Sequence, residues 1–214
     1  MWALNLMQYH EQAQYDDGRA SELSGIEADD AYAPTEHLKA VGSRIVLIAP
    51  VVHQLVGDDT TWDRVAIAQY RDRMAMVEMN QNADFQKSHE HKEAGMKFTI
   101  VMASFPIDDE PVPPQESAAD ADRLLLLQVV ADSSQPDLAA DIESTRIGRF
   151  WIEDRMIGDD RTFGEARYDL ISADTAAELG ARDYVVDDAN YAVVIDPSID
   201  EVARSLTDPS QVLF

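Results

Sequence analysis

Gly57-Asp58-Asp59-Thr60-Thr61-Trp62 and Gly158-Asp159-Asp160-Arg161-Thr162-Phe163 are two versions of one turn. Each follows an apolar run, ending Leu55-Val56 in the first case and Met156-Ile157 in the second, and each leads into another run of strand character. A Gly-Asp-Asp turn alone says little, because glycine and aspartate populate many turns. The same turn with the same flanks in two parts of one chain points to two related hairpins.

Working outward from the first turn, Ile45 to Val56 is apolar on both faces, as a buried strand is, and Arg64 to Tyr70 returns as its partner. Trp2 to Tyr9 is an earlier strand, with Leu4 and Leu6 on one face and Asn5, Met7 and Tyr9 on the other. A long excursion follows, turning at Tyr15-Asp16-Asp17-Gly18, and its Ser24-Gly25 reads as a turn. Thr35 is placed to cap a short helix carrying Leu38 and Val41 and ended by Gly42. Asp72 to Ala94 reads as one helix with Met74, Val77 and Phe85 toward the core and Gly95 as its stop; Lys97 to Phe105 is the fourth strand. Around the second turn the same order recurs: strand Arg123–Ala131, short helix Asp137–Ile142, strands Ile147–Ile157 and Glu165–Leu170, a helix capped by Ser172, and strand Tyr191–Ile195. Ile199, Val202 and Leu206 mark a closing amphipathic helix.

Between the two passes, Pro106 to Asp122 is rich in proline and acid, and proline holds a chain extended without a donor. The expected organisation is a repeat over 1–106, a linker over 107–122, and a repeat over 123–214 with a C-terminal helix. The fold class expected is α+β: two ferredoxin-like β-α-β-β-α-β repeats in one chain, packed as a pseudo-dimeric α/β barrel. Each repeat alone leaves an apolar sheet face open, and the other repeat is the nearest cover.

Composition narrows the function classes. The chain has 214 residues and no cysteine, which excludes disulfides, thiolate metal sites and cysteine nucleophiles. Its 41 acidic against 17 basic residues give a net charge of −24, which disfavours nucleic acid and anionic membranes as partners. No stretch approaches the roughly 20 apolar residues of a membrane helix. The N-terminal Met1–His10 does not read as a signal peptide, so a cytoplasmic location is expected.

Further residues carry a family resemblance. Asn5-Leu6-Met7, Tyr15-x-Asp17-Gly18, Ser24-Gly25-x-Glu27-Ala28 and Tyr32, then Trp62-Asp63-Arg64, Tyr70-Arg71-Asp72-Arg73, Phe85-Gln86 and His89-x-His91, resemble one branch of the dimeric α/β-barrel superfamily. That branch holds uncharacterised bacterial proteins related to NIPSNAP-type, antibiotic-monooxygenase-type and stress-responsive barrel domains. The resemblance covers 1–106, and in the second half only Arg146 to Leu170. It implies two ferredoxin-like sheets face to face, here from one chain, as a monomeric pseudo-dimer or a homodimer. It implies no agreed activity, so no catalytic role carries over.

Candidate chemistry is sparse. His89-Glu90-His91 with Glu93 invites a metal, but only His89 and Glu93 share a helix face, and no metal or other cofactor is expected. No nucleophile elbow, phosphate loop or dinucleotide fingerprint is present. Met74, Met76, Met79 and Met96 are read as core filler, with a pliable pocket as the alternative. Polar residues on otherwise buried strands remain: Asn5, Tyr9 and His53. Simple alternation places His53 on one face with Ile45, Leu47, Ala49, Val51 and Leu55, with Trp62 and Arg64 beginning the return strand. The expected ligand site is therefore His53, Asn5, Tyr9, Trp62 and Arg64, for a small apolar molecule. Two functions follow: a small-molecule binding protein or cofactor-independent barrel-type enzyme (oxygenase or isomerase), or a non-catalytic structural or interaction protein without a pocket. A cavity between sheet and helices in the first half separates them.

Overall fold

The computed structural model describes residues 1–32, 34–107 and 123–207. The expected linker therefore lies outside the described residues, except for Ile107. The first half contains strands β1 (Trp2–Tyr9), β2 (Arg44–Gly57), β3 (Arg64–Gln69) and β4 (Met96–Pro106). Its helices are α1 (Gly25–Tyr32), α2 (Thr35–Ala40), α3 (Arg73–Asn80) and α4 (Ala83–Gly95). The second half contains β5 (Leu124–Val130), β6 (Ser144–Ile157), β7 (Glu165–Ile171), β8 (Val185–Val186), β9 (Tyr191–Ile195) and β10 (Ile199–Asp200). Its helices are α5 (Ala173–Gly180) and α6 (Val202–Thr207), with a 3-10 turn at Leu138–Asp141.

The strands run β2-β3-β1-β4-β6-β7-β5-β9, and β9 pairs back onto β2. This closes an eight-stranded barrel in which all the ring pairings are antiparallel. In each half the order is second, third, first, fourth strand. Closure leaves the ring without a free edge, which removes a template for aggregation. β10 and β8 add short pairings to β2 outside the ring.

The barrel interior is filled by side chains from both halves. Leu4, Leu6 and Ile67 meet Leu127, Tyr168 and Val193 in one apolar cluster, all at most 1% exposed. The two halves of the barrel thus bury each other's inward-facing side chains. The matched turns lie side by side: Arg161 of the second donates to Asp58 Oδ2 of the first at 2.6 Å, and also to the Tyr191 hydroxyl. Both turn glycines, Gly57 and Gly158, have positive φ, which other residues seldom adopt.

Several elements differ from the sequence reading. The excursion holds α1, opened by a capping box: Ser24 Oγ accepts from Glu27 N at 3.2 Å and Glu27 Oε2 accepts from Ser24 N at 2.7 Å. Thr35 is the first helical residue of α2, preceded by Pro34, and makes no cap hydrogen bond. The long helix is two, because Asn82 Oδ1 accepts from the amides of Asp84 and Phe85 and starts α4 afresh. With α3 short and seated on Ala75 and Met79, Met74 and Val77 face solvent, at 66% and 43% exposure; Phe85 is buried as expected. The closing amphipathic segment splits into β10 and α6. Among the described residues no helix is long and apolar enough to cross a membrane, which does not bear on strands.

Candidate functional site

A cavity of about 910 Å³ lies outside the barrel, between the first-half strands and their helices. Its floor is the outward row of each strand: Ala3, Asn5 and Met7 on β1, Arg64, Ala66 and Ala68 on β3, Thr99 and Val101 on β4. Four of these eight are alanine or threonine, so the floor is low and the helices cannot close down on it. The roof comes from α1, α2, α3 and α4, through Tyr32, Leu38, Met79 and Phe85. Met76, Met79 and Met96 line the space, so three of the four methionines singled out are cavity wall. Tyr32, Phe85 and His89 form an aromatic corner with ring centroids 5.4–5.6 Å apart.

Polar groups converge at one end. Asp29 of α1 is the hub: its Oδ2 accepts from the Tyr9 hydroxyl at 2.5 Å and from Arg64 Nη1 at 3.1 Å. Arg64 also donates to Asp30 Oδ1 at 2.8 Å, and its guanidinium lies 5.5 Å from the Tyr9 ring centre. Burial and the neighbouring Asp29 carboxylate push the Tyr9 phenol above its ordinary range, so it stays a donor. His89 and Lys92 project from α4 into the same space. Burial pushes the His89 imidazole down, against the pull of Glu93, whose Oε1 is 3.4 Å away. Burial likewise pushes the Lys92 ammonium down; Asp29 opposes this and Arg64 adds to it. The Lys92 Nζ lies 5.4 Å from the Tyr32 ring centre.

The sequence-predicted site divides across this geometry. Asn5 and Arg64 line the cavity. Asn5 is 8% exposed, and its amide donates to the backbone carbonyls of Ala3 at 2.8 Å and Ala66 at 3.4 Å. Tyr9 stands behind Asp29 and reaches the cavity through it. Trp62 is not a wall: it is in the barrel core, stacked on Phe98 at 5.8 Å and edge-on to Tyr191 at 5.5 Å. His53 does not line the cavity either. The pairing of β2 with β9 slips between Val51 and His53, so Val51 packs on the barrel core while His53 turns outward. Its ring lies over Gly180 at the end of α5, so close that a Cβ there would stand 2.6 Å from Nε2. His89 and Lys92, which the sequence reading did not include in the site, line the cavity. Asp29 was missed; the Ser24-x-x-Glu27 box that places its helix was its only signal.

The matching face of the second half is built differently. Where β3 presents Ala66 and Ala68, β7 presents Glu165, Arg167 and Asp169, all at most 3% exposed. They interlock with Arg146, Arg149 and Asp137. The hollow there is about 280 Å³ and polar.

Fold and site together define a closed antiparallel barrel with a helix-roofed, largely apolar cavity on its first half. The chain matches no protein-family profile and no curated protein. It is similar to solved structures. The methylated RPA0582 protein is 28% identical over 51% of this chain and 82% of that one, with a TM-score of 0.47. RPA0582 itself, a protein of unknown function from Rhodopseudomonas palustris, is 27% identical over 47% and 77%, with a TM-score of 0.42. An encapsulated DyP-type peroxidase from Mycobacterium smegmatis is 10% identical over 94% of each chain, with a TM-score of 0.41.

Proposed function

We propose that this protein binds a small, mainly apolar molecule in the cavity between the first-half sheet and helices α1–α4. The observation that carries this is the cavity itself: about 910 Å³, walled by methionine and aromatic side chains, with Asn5, Asp29, Arg64, His89 and Lys92 gathered in it. An enclosed apolar space with a few convergent polar groups is the usual form of a small-molecule site. A purely structural role does not need one, and leaving such space unfilled costs stability. The ligand site is thus placed on Asn5 and Arg64, with Tyr9 supporting Asp29, rather than on His53 and Trp62. The same reading takes the chain as two ferredoxin-like repeats of the dimeric α/β-barrel kind. The repeated strand order and the paired Gly-Asp-Asp turns support it. One chain then supplies both sheets, and only the first has kept room for a ligand.

The test is uptake of a neutral apolar fluorophore, N-phenyl-1-naphthylamine. The wild-type protein is expected to enhance its emission with saturation at one site. Ala66→Trp, which raises the floor into the cavity, is expected to abolish this while leaving the far-UV spectrum and melting cooperative. No saturable uptake by the wild type, or equal uptake by the folded variant, rejects the proposal.

A further inference from the structure

Lys92 is the one feature of the cavity that its packing does not explain. Among the described residues its Nζ has no hydrogen bond and no ion pair; its nearest recorded partner is the face of Tyr32, 5.4 Å away. The Lys92 side chain is half-buried and lines the cavity. By contrast, Lys39 and Lys87 lie exposed beside Glu36 and Asp84 at 2.8 and 3.3 Å. The charged groups facing Lys92 are Asp29 from α1 and Arg64 from β3, and on its own helix His89. Asp29 is already engaged by Tyr9 and Arg64. A desolvated amine near a second cation, without a carboxylate in contact, is the setting that keeps lysine neutral and nucleophilic.

We propose that Lys92 is a nucleophile and that the cavity's ligand is an apolar aldehyde or ketone, which it holds as an imine. This rests on the binding role proposed above and names its chemistry. The Nζ lone pair attacks the carbonyl carbon and forms the C–N bond, while the carbonyl oxygen takes up a proton to give a carbinolamine. Loss of the hydroxyl as water, with the remaining N–H proton released, gives the C=N bond; no electrons are exchanged with an outside reagent. His89, three residues earlier on α4 and lining the same cavity, is the imidazole assigned to ferry these protons. The apolar walls take the alkyl chain.

The experiment uses octanal with sodium cyanoborohydride at neutral pH, followed by peptide mapping. The reductant converts an imine to a stable N-octyl amine. The chain's four lysines, Lys39, Lys87, Lys92 and Lys97, provide internal comparison. Lys92 is expected to be alkylated several-fold faster than Lys87, since burial lowers its pKa and so raises its free-amine fraction at pH 7. Lys92→Arg is expected to lose the fast adduct, with its fluorophore uptake measured alongside to show that the cavity still forms. Alkylation of Lys92 no faster than Lys87, in protein that still takes up the fluorophore, overturns the imine and leaves the binding role intact. The imine is equally overturned if octanoate displaces the fluorophore from wild type and Lys92→Arg but not from Lys92→Met, without fast octanal labelling. Lys92 is then an ion-pair anchor. Failure of fluorophore uptake itself rejects the binding role, and fast labelling of Lys92 in the Ala66→Trp protein rejects a cavity-bound imine.

Discussion

Glu165 holds two arginines at once. Its Oε1 accepts from Arg149 Nε at 2.8 Å and from Arg167 Nε at 2.6 Å, and its Oε2 accepts from Arg149 Nη2 at 2.8 Å. The Arg167 side chain is only 4% exposed, and its other donors go to the carbonyls of Ser133, Gln135 and Pro136. Removing the carboxylate charge strands a buried guanidinium, and breaking such a pair from one side costs about 3–5 kcal/mol. Glu165→Gln is therefore expected to lower stability by about 3 kcal/mol at pH 7 in thermal or urea unfolding. Burial alone would raise the Glu165 pKa, but hydrogen bonds from Arg149 and Arg167 outweigh it and the folded value is depressed. A depressed carboxylate stabilises the fold above its unfolded pKa of about 4.3 and loses that contribution as pH falls through the lower folded value. The gap between wild type and Glu165→Gln is thus expected to be widest near neutral pH and to shrink in acid; a gap constant down to pH ~3 contradicts the assignment. The alternation of Glu165, Arg167 and Asp169 with Ala166, Tyr168 and Leu170 reads as a strand directly from sequence. That its charged face is buried does not, because burial depends on what covers the strand. His53 shows the converse limit: alternation puts it beside Val51, and one bulge, invisible in the letters, reverses it.

At the scale of elements, α1 and α4, which both roof the cavity, approach each other closely. The contact is made by two glycines. Gly95 O accepts from His10 N at 2.9 Å, Gly25 N donates to His10 O at 3.1 Å, and the backbones of Gly25 and Gly95 touch. A Cβ on Gly25 would stand 2.5 Å from both Gly95 O and His10 O, and one on Gly95 would run into Gly25 O. Neither clash is with a side chain able to swing away. Gly95→Ala is expected to destabilise by about 1–3 kcal/mol, the usual cost of overpacking, and to weaken fluorophore uptake because Lys92 and His89 ride on the displaced helix. Unchanged melting and uptake would show that the contact is looser than its geometry. Helix starts were legible where a side chain caps them, as at Asp72 and Ser172. Asn82 and Ser24 carry the same signal, yet Asn82 sits inside a continuous helical pattern and α1 has little apolar stripe to announce it. α1 buries Gly25, Ala28 and Tyr32 against α4 rather than a broad face against the sheet, and such contacts carry no period of their own.

Across the whole molecule, the succession of strands along the chain was readable because two passes of a similar pattern and one repeated turn constrain each other. The position of the cavity was not, because it depends on which of two similar sheet faces carries alanine and which carries charge. The same charges set the response to salt. With 41 acidic and 17 basic residues, 24 negative charges are left without a compensating positive one, and they repel one another. The best-paired groups, around Glu165 and Asp169, are buried and little screened by ions. The excess acid is at the surface, where the screening length falls from ~30 Å at ~0.01 M salt to ~10 Å at ~0.1 M. Compacting a chain of such net charge works against its own repulsion. The melting temperature is therefore expected to rise between ~0.01 and ~0.1 M sodium chloride, and by the same increment in Glu165→Gln, whose lost pair is inside the screened shell rather than part of it. A flat curve would mean that surface pairs such as Arg19–Asp17 and Arg71–Asp72 already offset the local field. A fall would mean that those exposed pairs, which salt weakens, contribute more than the repulsion it relieves.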